Sequence, residues 1–194
     1  MSSERIIDLY ERRAQQWDID RGVGPLFEQA WLDRFTAHLP AGRRLLDIGC
    51  GTGRPIAAYL LGQGIDLVGL DASPTLIGLC RRRFPEGEWL VGDMRAMSLG
   101  RRFDGLLAWD SFFHLTPDDQ RGMFPRFAAH AAPGAVLMFT SGPAEGEAIG
   151  SYHGSLGPAE YERLLNDNVF TVLAHEAEDP TCGHHTIWLA RYDG

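Results

Sequence analysis

The chain contains no lysine; all 18 of its basic residues are arginine. That excludes mechanisms built on a lysine amine, among them P-loop nucleotide hydrolysis, pyridoxal-phosphate Schiff-base chemistry and reductases that use a Tyr-x-x-x-Lys pair. Cysteine is scarce too. Cys50, Cys80 and Cys182 are too few and too scattered for a disulfide framework, and the Met-Ser-Ser-Glu start does not read as an export signal. A reducing cytoplasm is therefore the expected setting. No run approaches the roughly 18 apolar residues of a membrane span, so no membrane partner is expected. Basic clusters are nearly absent. Arg81-Arg82-Arg83 falls at a predicted helix C-terminus, where cations complement the dipole. Net charge is −8: residues 1–97 carry 12 arginines against 13 acids, and the remainder 6 against 13. An acidic chain without a basic stripe is a poor ligand for a nucleic-acid backbone, so no nucleic-acid partner is expected.

What is present is an ordinary globular mix over 194 residues, with 44% apolar and 23% charged. This length fits one domain able to bury its own core, so residues 1–194 are read as a single domain. Apolar residues at near-helical spacing predict an amphipathic helix over 3–16 and a second over 27–39, which ends at Pro40-Ala41-Gly42. Residues 1–40 are thus read as a helical lid on a core spanning 41–194. Within the core, strands are predicted over 44–48, 66–71, 88–92, 103–109 and 135–140. Helices are predicted over 54–63, from 73 or 74 to about 84, and over 117–131. Strands alternating with helices predict a parallel α/β sheet covered on both faces. After a helix over 158–165, strands over 169–174 and 186–191 have no helix between them. They are read as an antiparallel hairpin at the sheet edge, joined by a polar link over 176–183.

Asp47-Ile48-Gly49-Cys50-Gly51-Thr52-Gly53 joins a strand to a helix. Glycines there let the backbone approach a ligand closely, and the helix N-terminus favours groups that accept hydrogen bonds. Asp71 ends the next strand, where a carboxylate can hold both hydroxyls of a ribose. The spacing is not Gly-x-Gly-x-x-Gly; Arg54 occupies the place of the third glycine, which argues against a pyrophosphate. An adenosine with a short zwitterionic tail fits better, its amino group near Asp47 and its carboxylate near backbone N–H groups or Arg54.

Leu45-Leu46-Asp47-Ile48-Gly49-Cys50-Gly51-Thr52-Gly53, Leu67-Val68-Gly69-Leu70-Asp71-Ala72-Ser73, Gly92-Asp93-Met94 and Phe103-Asp104-Gly105-Leu106-Leu107-Ala108-Trp109 occur in this order. They resemble successive motifs of the class I S-adenosylmethionine-dependent methyltransferases over about residues 43–140. The resemblance implies a Rossmann-like three-layer α/β/α fold with a seven-stranded, mostly parallel sheet in the order 3-2-1-4-5-7-6, the last strand antiparallel. It implies S-adenosylmethionine as cofactor, S-adenosylhomocysteine as product and a small-molecule acceptor. It also implies a set of cofactor contacts: Gly49 and Gly51 along the methionine part, Asp71 at the ribose and Asp93 with the Met94 backbone at adenine, with Asp47, Cys50, Gly53, Ala72 and Trp109 as further candidate contacts. By the same resemblance Tyr10 and Trp17 of the lid are candidate contacts.

The acceptor is expected at the mouth of the sheet, beyond the strand C-termini. Trp109-Asp110-Ser111-Phe112-Phe113-His114-Leu115 falls there, with Asp110 and His114 as candidate catalytic groups and Phe112 and Phe113 as aromatic walls. His114 has the residue type for a base at neutral pH. The long segment 141–154, with Glu145, Glu147, Tyr152 and His153, is expected to form one wall of the acceptor site. Cys182-Gly183-His184-His185 offers two adjacent histidines, which alternate faces on a strand, so it is read as turn chemistry and no metal is expected. The expected assembly is a monomer or homodimer. Two other functions fit a cofactor-binding α/β domain: a cofactor-binding regulator without transferase activity, and, against the glycine spacing, an NAD-dependent oxidoreductase.

Overall fold

A computed structural model describes residues 26–39, 43–142 and 154–194, the backbone of 146–148 and 151–153, and the helical positions 8, 9, 11–14, 16, 18 and 19. The elements are α1 (Gln29–Ala37), β1 (Arg44–Ile48), α2 (Ile56–Gly62), β2 (Asp66–Asp71), α3 (Pro74–Arg83), β3 (Glu88–Val91), β4 (Phe103–Ala108), α4 (Pro117–His130), β5 (Ala131–Ser141), α5 (Pro158–Asp167), β6 (Phe170–Asp179) and β7 (His185–Tyr192). Counting these strands, the seven-stranded sheet runs 3-2-1-4-5-7-6. β1 to β5 pair in parallel, and β7 is antiparallel to both of its neighbours. A separate two-stranded ribbon joins Gly146–Ala148 to Ser151–His153.

The central strands are apolar at successive positions because both of their faces are covered. Leu46, Ile48, Val68, Leu70, Leu106, Leu137 and Phe139 face one layer, where Phe112, Phe124, Phe127 and Tyr161 form the core with Trp188. Leu45, Leu67, Leu107, Val136, Met138 and Leu189 face the other, against Trp31, Phe35, Leu60 and Ile77. Alternation with period two along each strand sends neighbours to opposite layers.

Local chemistry sets the helix starts. Ser73 accepts the Leu76 N–H and Pro74 takes the first helical position of α3. Thr116 and Pro117 do the same for α4, with Asp118 and Asp119 in its first turn complementing the dipole. The helical positions between 8 and 19 dock on the C-terminal side of the sheet. Glu11 accepts from the Ser73 and Thr75 hydroxyls, and Asp18 pairs with Arg83.

Two boundaries differ from the sequence expectation. β5 starts at Ala131 rather than 135, because a register irregularity between Phe103 and Gly105 lets Ala131 pair with Phe103 ahead of Pro133-Gly134. The first half of the polar link predicted over 176–183 is strand. β6 continues to Asp179 through irregularities at Val172/Ala174 and Glu176/Asp179, so the turn is confined to residues 180–184. Trp31 is a core residue that donates its indole N–H to Asp179 at 2.8 Å, latching α1 to this turn.

Candidate functional site

The site is built where β1, β2 and β4 end. Gly49, Gly51 and Gly53 all have positive φ (80°, 56° and 75°), backbone that other residues adopt at a cost. A Cβ on Gly49 would lie 2.3 Å from Cβ of Ser111, so this loop passes the next one too closely for any side chain. Asp71 ties the two sides of the loop region together. One carboxylate oxygen accepts from Gly51 N and the other from Ser73 N, both at 2.9 Å. Each oxygen keeps a further lone pair for a ligand hydroxyl. Ser111 donates to the Ile48 carbonyl at 2.6 Å and fixes the loop after β4 against the glycine loop.

These elements enclose one cleft with about 1010 Å³ of empty space, its open mouth included. Asp47, Gly49, Cys50, Gly51, Gly53, Asp71, Ala72, Asp93, Met94 and Trp109 all line it, and so do Asp110 and His114 at its mouth. Sequence reasoning missed Ser73, Leu76, Arg95, Ser111 and Leu115, which complete the wall; only their closeness to the motifs signalled them. Tyr10 and Trp17 lie outside the described residues, as do the side chains of Glu145, Glu147, Tyr152 and His153. Gly154 N donates to the Phe113 carbonyl at 3.0 Å, so segment 141–154 ends beside the Phe112–His114 turn.

Phe112 is not a wall of the site. It is fully buried among Phe124, Phe127, Phe139 and Tyr161 on the core side of the turn. Asp93 lines the cleft and also caps its own turn, accepting from Arg95 N at 2.9 Å and pairing with the Arg95 guanidinium. Burial works to raise its pKa, but the Arg95 hydrogen bonds hold it below the usual carboxylate range.

The electrostatics are those of a site that wants a cation. Burial pushes the Asp47 carboxyl up to about 7, and the neighbouring Asp71 adds to the shift. Asp71 is raised as well, chiefly by burial, against the pull of the Ser73 and Gly51 amides. Two carboxylates that resist ionisation together fit a positively charged ligand group between them. A glycine cradle that a Cβ would fill, a ribose-ready carboxylate and this demand for positive charge together suit S-adenosylmethionine. Among the described residues no cluster of three metal-ligand residue types gathers, and no helix is long and apolar enough to cross a membrane.

A family profile described as a methyltransferase domain matches residues 45–134, from β1 to the start of β5. A dTDP-3-amino-3,6-dideoxy-alpha-D-glucopyranose N,N-dimethyltransferase of Streptomyces fradiae is 36% identical over 103 residues, 52% of this chain and 40% of that protein. A solved structure of an amino pentose methyltransferase from Micromonospora echinaspora superposes with a TM-score of 0.72 at 22% identity, over 91% of this chain and 95% of that one. A magnesium protoporphyrin IX methyltransferase from Synechocystis superposes with a TM-score of 0.78 at 18% identity, over 98% and 99%. Residues 45–134 thus match a methyltransferase domain, and the fold is that of these solved methyltransferases. The chain spans 40–50% of the length of the first curated relatives it matches. Its cleft occupies the region of the family profile, while Asp110, at its mouth, is reached from β7, beyond residue 134.

Proposed function

We propose that the protein transfers a methyl group from S-adenosylmethionine to an amine of a small molecule. The observation that carries the reading is the single cleft that unites the glycine cradle, Asp47 and Asp71 with Asp110 and His114. The amine is supported by the names of three relatives, all N,N-dimethyltransferases of dTDP-linked amino sugars, and by the carboxylate at the mouth.

S-adenosylmethionine supplies, when bound, a methyl activated by a sulfonium that departs as a neutral thioether, so the protein's work is alignment, exclusion of water and removal of a proton from the methylated amine. Asp47 and Asp71 hold the donor's ammonium and ribose. Backbone N–H groups of the glycine loop and Arg54 face its carboxylate, and Asp93 and Met94 its base. Asp110 orients the acceptor. His114, 8% exposed and in ring contact with Phe113, is placed to take the proton the amine must shed.

The test is a screen of small amines, the dTDP-amino sugars first, with S-adenosylhomocysteine release as readout. Turnover of an amine is expected, and His114→Asn is expected to lower kcat about 100-fold at saturating acceptor. An unchanged kcat removes His114 as the proton acceptor. Tight binding of the donor with no release from any acceptor leaves a cofactor-binding regulator instead.

A further inference from the structure

His185 opens β7, on the strand next to β5, and its ring reaches the loop after β4. Its Nε2 lies 2.7 Å from Asp110 Oδ1, and its Nδ1 lies 2.6 Å from the Cys182 carbonyl oxygen. A carbonyl oxygen and a carboxylate oxygen only accept hydrogen bonds, whereas a neutral imidazole has one donor. A neutral ring would therefore leave a lone pair facing an acceptor at one of the two contacts. The imidazolium carries a proton on each nitrogen, so Nδ1 donates to the Cys182 carbonyl and Nε2 meets the carboxylate as an ion pair. The ring also stacks against Phe27 (centroids 5.9 Å apart, planes at 23°) and tilts against Trp109 (5.6 Å, 35°), whose π faces favour a cation.

The titratable groups that act on the ring are Asp110, Glu28 at the start of α1 and Cys182 in the turn. Burial works to lower the His185 pKa, but the Asp110 carboxylate, the Cys182 carbonyl and the Glu28 charge outweigh it and raise it. Cys182 is pushed up to about 12, mainly by burial, and stays a thiol throughout the neutral range.

Asp110 is itself held in an uncommon way. Its φ is 49°, backbone that costs a non-glycine residue free energy, and its N–H donates to the Thr140 hydroxyl at 2.9 Å. The strained residue, its histidine and two aromatic rings thus come from three separate segments to meet beside the cleft.

We propose that His185 is a positioning residue that, as an imidazolium, clamps the Asp110 carboxylate at the mouth of the cleft and presents it to an N–H of the amine acceptor. The inference rests on the amine reading above. Its chemical logic is charge balance. A bare carboxylate would bind the acceptor as its ammonium ion, which has no lone pair to attack with. A carboxylate already paired with a cation has less call for a second one, so it accepts an N–H of the neutral amine and leaves the lone pair free.

The test has two arms on the full chain. In the first, histidine-labelled protein is titrated by nitrogen NMR, and the His185 signals are assigned by their loss in His185→Gln. Both ring nitrogens are expected to carry protons at pH 7, and the midpoint is expected to fall by about one unit or more in Asp110→Asn. A neutral ring at pH 7, or a midpoint that Asp110→Asn leaves in place, overturns the clamp. Because the wild-type titration alone answers the first point, the arm survives poor folding of a variant. In the second arm the probe is dTDP-3-amino-3,6-dideoxy-alpha-D-glucopyranose, the sugar named in one relative. The wild-type kcat for the sugar is expected to fall as pH climbs through the His185 midpoint, because the bare carboxylate then holds the acceptor as its ammonium ion. His185→Gln is expected to lower kcat about tenfold at pH 7 without raising KM, and to abolish that fall. A glutamine variant with wild-type kcat and pH profile overturns the positioning role. Failure of the wild type to methylate this sugar counts against the acceptor reading, and the titration still decides the clamp.

Discussion

At the scale of single residues, Asp47 carries the sharpest consequence. Its pKa of about 7 in the folded protein lies above the ordinary aspartate value of about 3.9, so the native state holds a proton that the unfolded chain releases. Native stability therefore falls as pH rises from about 4 to about 7, by up to about 4 kcal/mol for a shift of this size. Asp47→Asn removes the penalty and is expected to raise the melting temperature of the ligand-free protein at pH 8, while abolishing measurable donor binding. A ligand ammonium reverses the shift, because it favours the ionised carboxylate. Calorimetric affinity for S-adenosylhomocysteine is expected to increase about tenfold from pH 5.5 to 7 in the wild type, then level off. An affinity flat across that range would mean that Asp47 does not meet the ligand's charge. The placement of Asp47 in the cleft was legible in sequence, since it precedes a glycine cluster at a strand end. His185 was not. It was read as turn chemistry because the pattern shows two adjacent histidines after a cysteine and glycine, and only the β7–β5–β4 neighbourhood carries one of them to Asp110. Phe112 erred the other way. An aromatic beside the cleft motif looked like a wall, yet the turn of Phe112–His114 rotates it into the core.

At the scale of elements, most strands and helices were readable because their signals are local. A Ser-Pro or Thr-Pro pair opens α3 and α4, and short apolar stretches such as Leu45-Leu46, Leu67-Val68-Gly69-Leu70 and Leu106-Leu107-Ala108 mark β1, β2 and β4. The misplaced boundaries share one physical cause. Where a strand carries a bulge, its side-chain alternation shifts, so β6 beyond Ala174 and β5 before Ala135 lose the period-two pattern that identifies strands. The extra length of β6 matters to the fold because it delivers Asp179 to α1. The Asp179 carboxylate accepts from Trp31 and also from the Thr181 amide and hydroxyl, and these bonds hold its pKa below the usual range. Trp31→Phe keeps most of the buried ring and removes the donor. The carboxylate retains its Thr181 contacts, so a loss of about 1–2 kcal/mol is expected in urea unfolding, with an unchanged m-value. The donor affinity is expected to stay at the wild-type value, since Trp31 does not line the cleft. A drop in affinity would mean that the α1–hairpin latch shapes the ligand site.

At the scale of the whole molecule, two layers of core hold a sheet whose C-terminal edge gathers the candidate functional groups among the described residues. Binding there is therefore linked to the stability of the entire unit. The glycine loop is held by Asp71 and Ser111, and Asp71 in turn holds the start of α3, where Glu11 also docks, while Asp18 pairs with Arg83 at the other end of that helix. A ligand bonded to the loop thus braces β1, β2, β4 and the docked N-terminal helix at once. For a ligand at 100 times its Kd, mass action adds about 2.7 kcal/mol, and in a domain of this size each kcal/mol moves the melting temperature by about 2–4 °C. S-adenosylhomocysteine at that concentration is expected to raise the melting temperature by about 5–10 °C. NAD is expected to leave it in place, since Arg54 stands where a pyrophosphate would need a third glycine. The size of the shift should also track pH through Asp47: smaller at pH 5.5, where the carboxyl is protonated, and larger at pH 7.5, where the empty site bears the cost of its charge. A shift with NAD and none with S-adenosylhomocysteine would return the fold to the dinucleotide-binding class and remove the physical basis for methyl transfer.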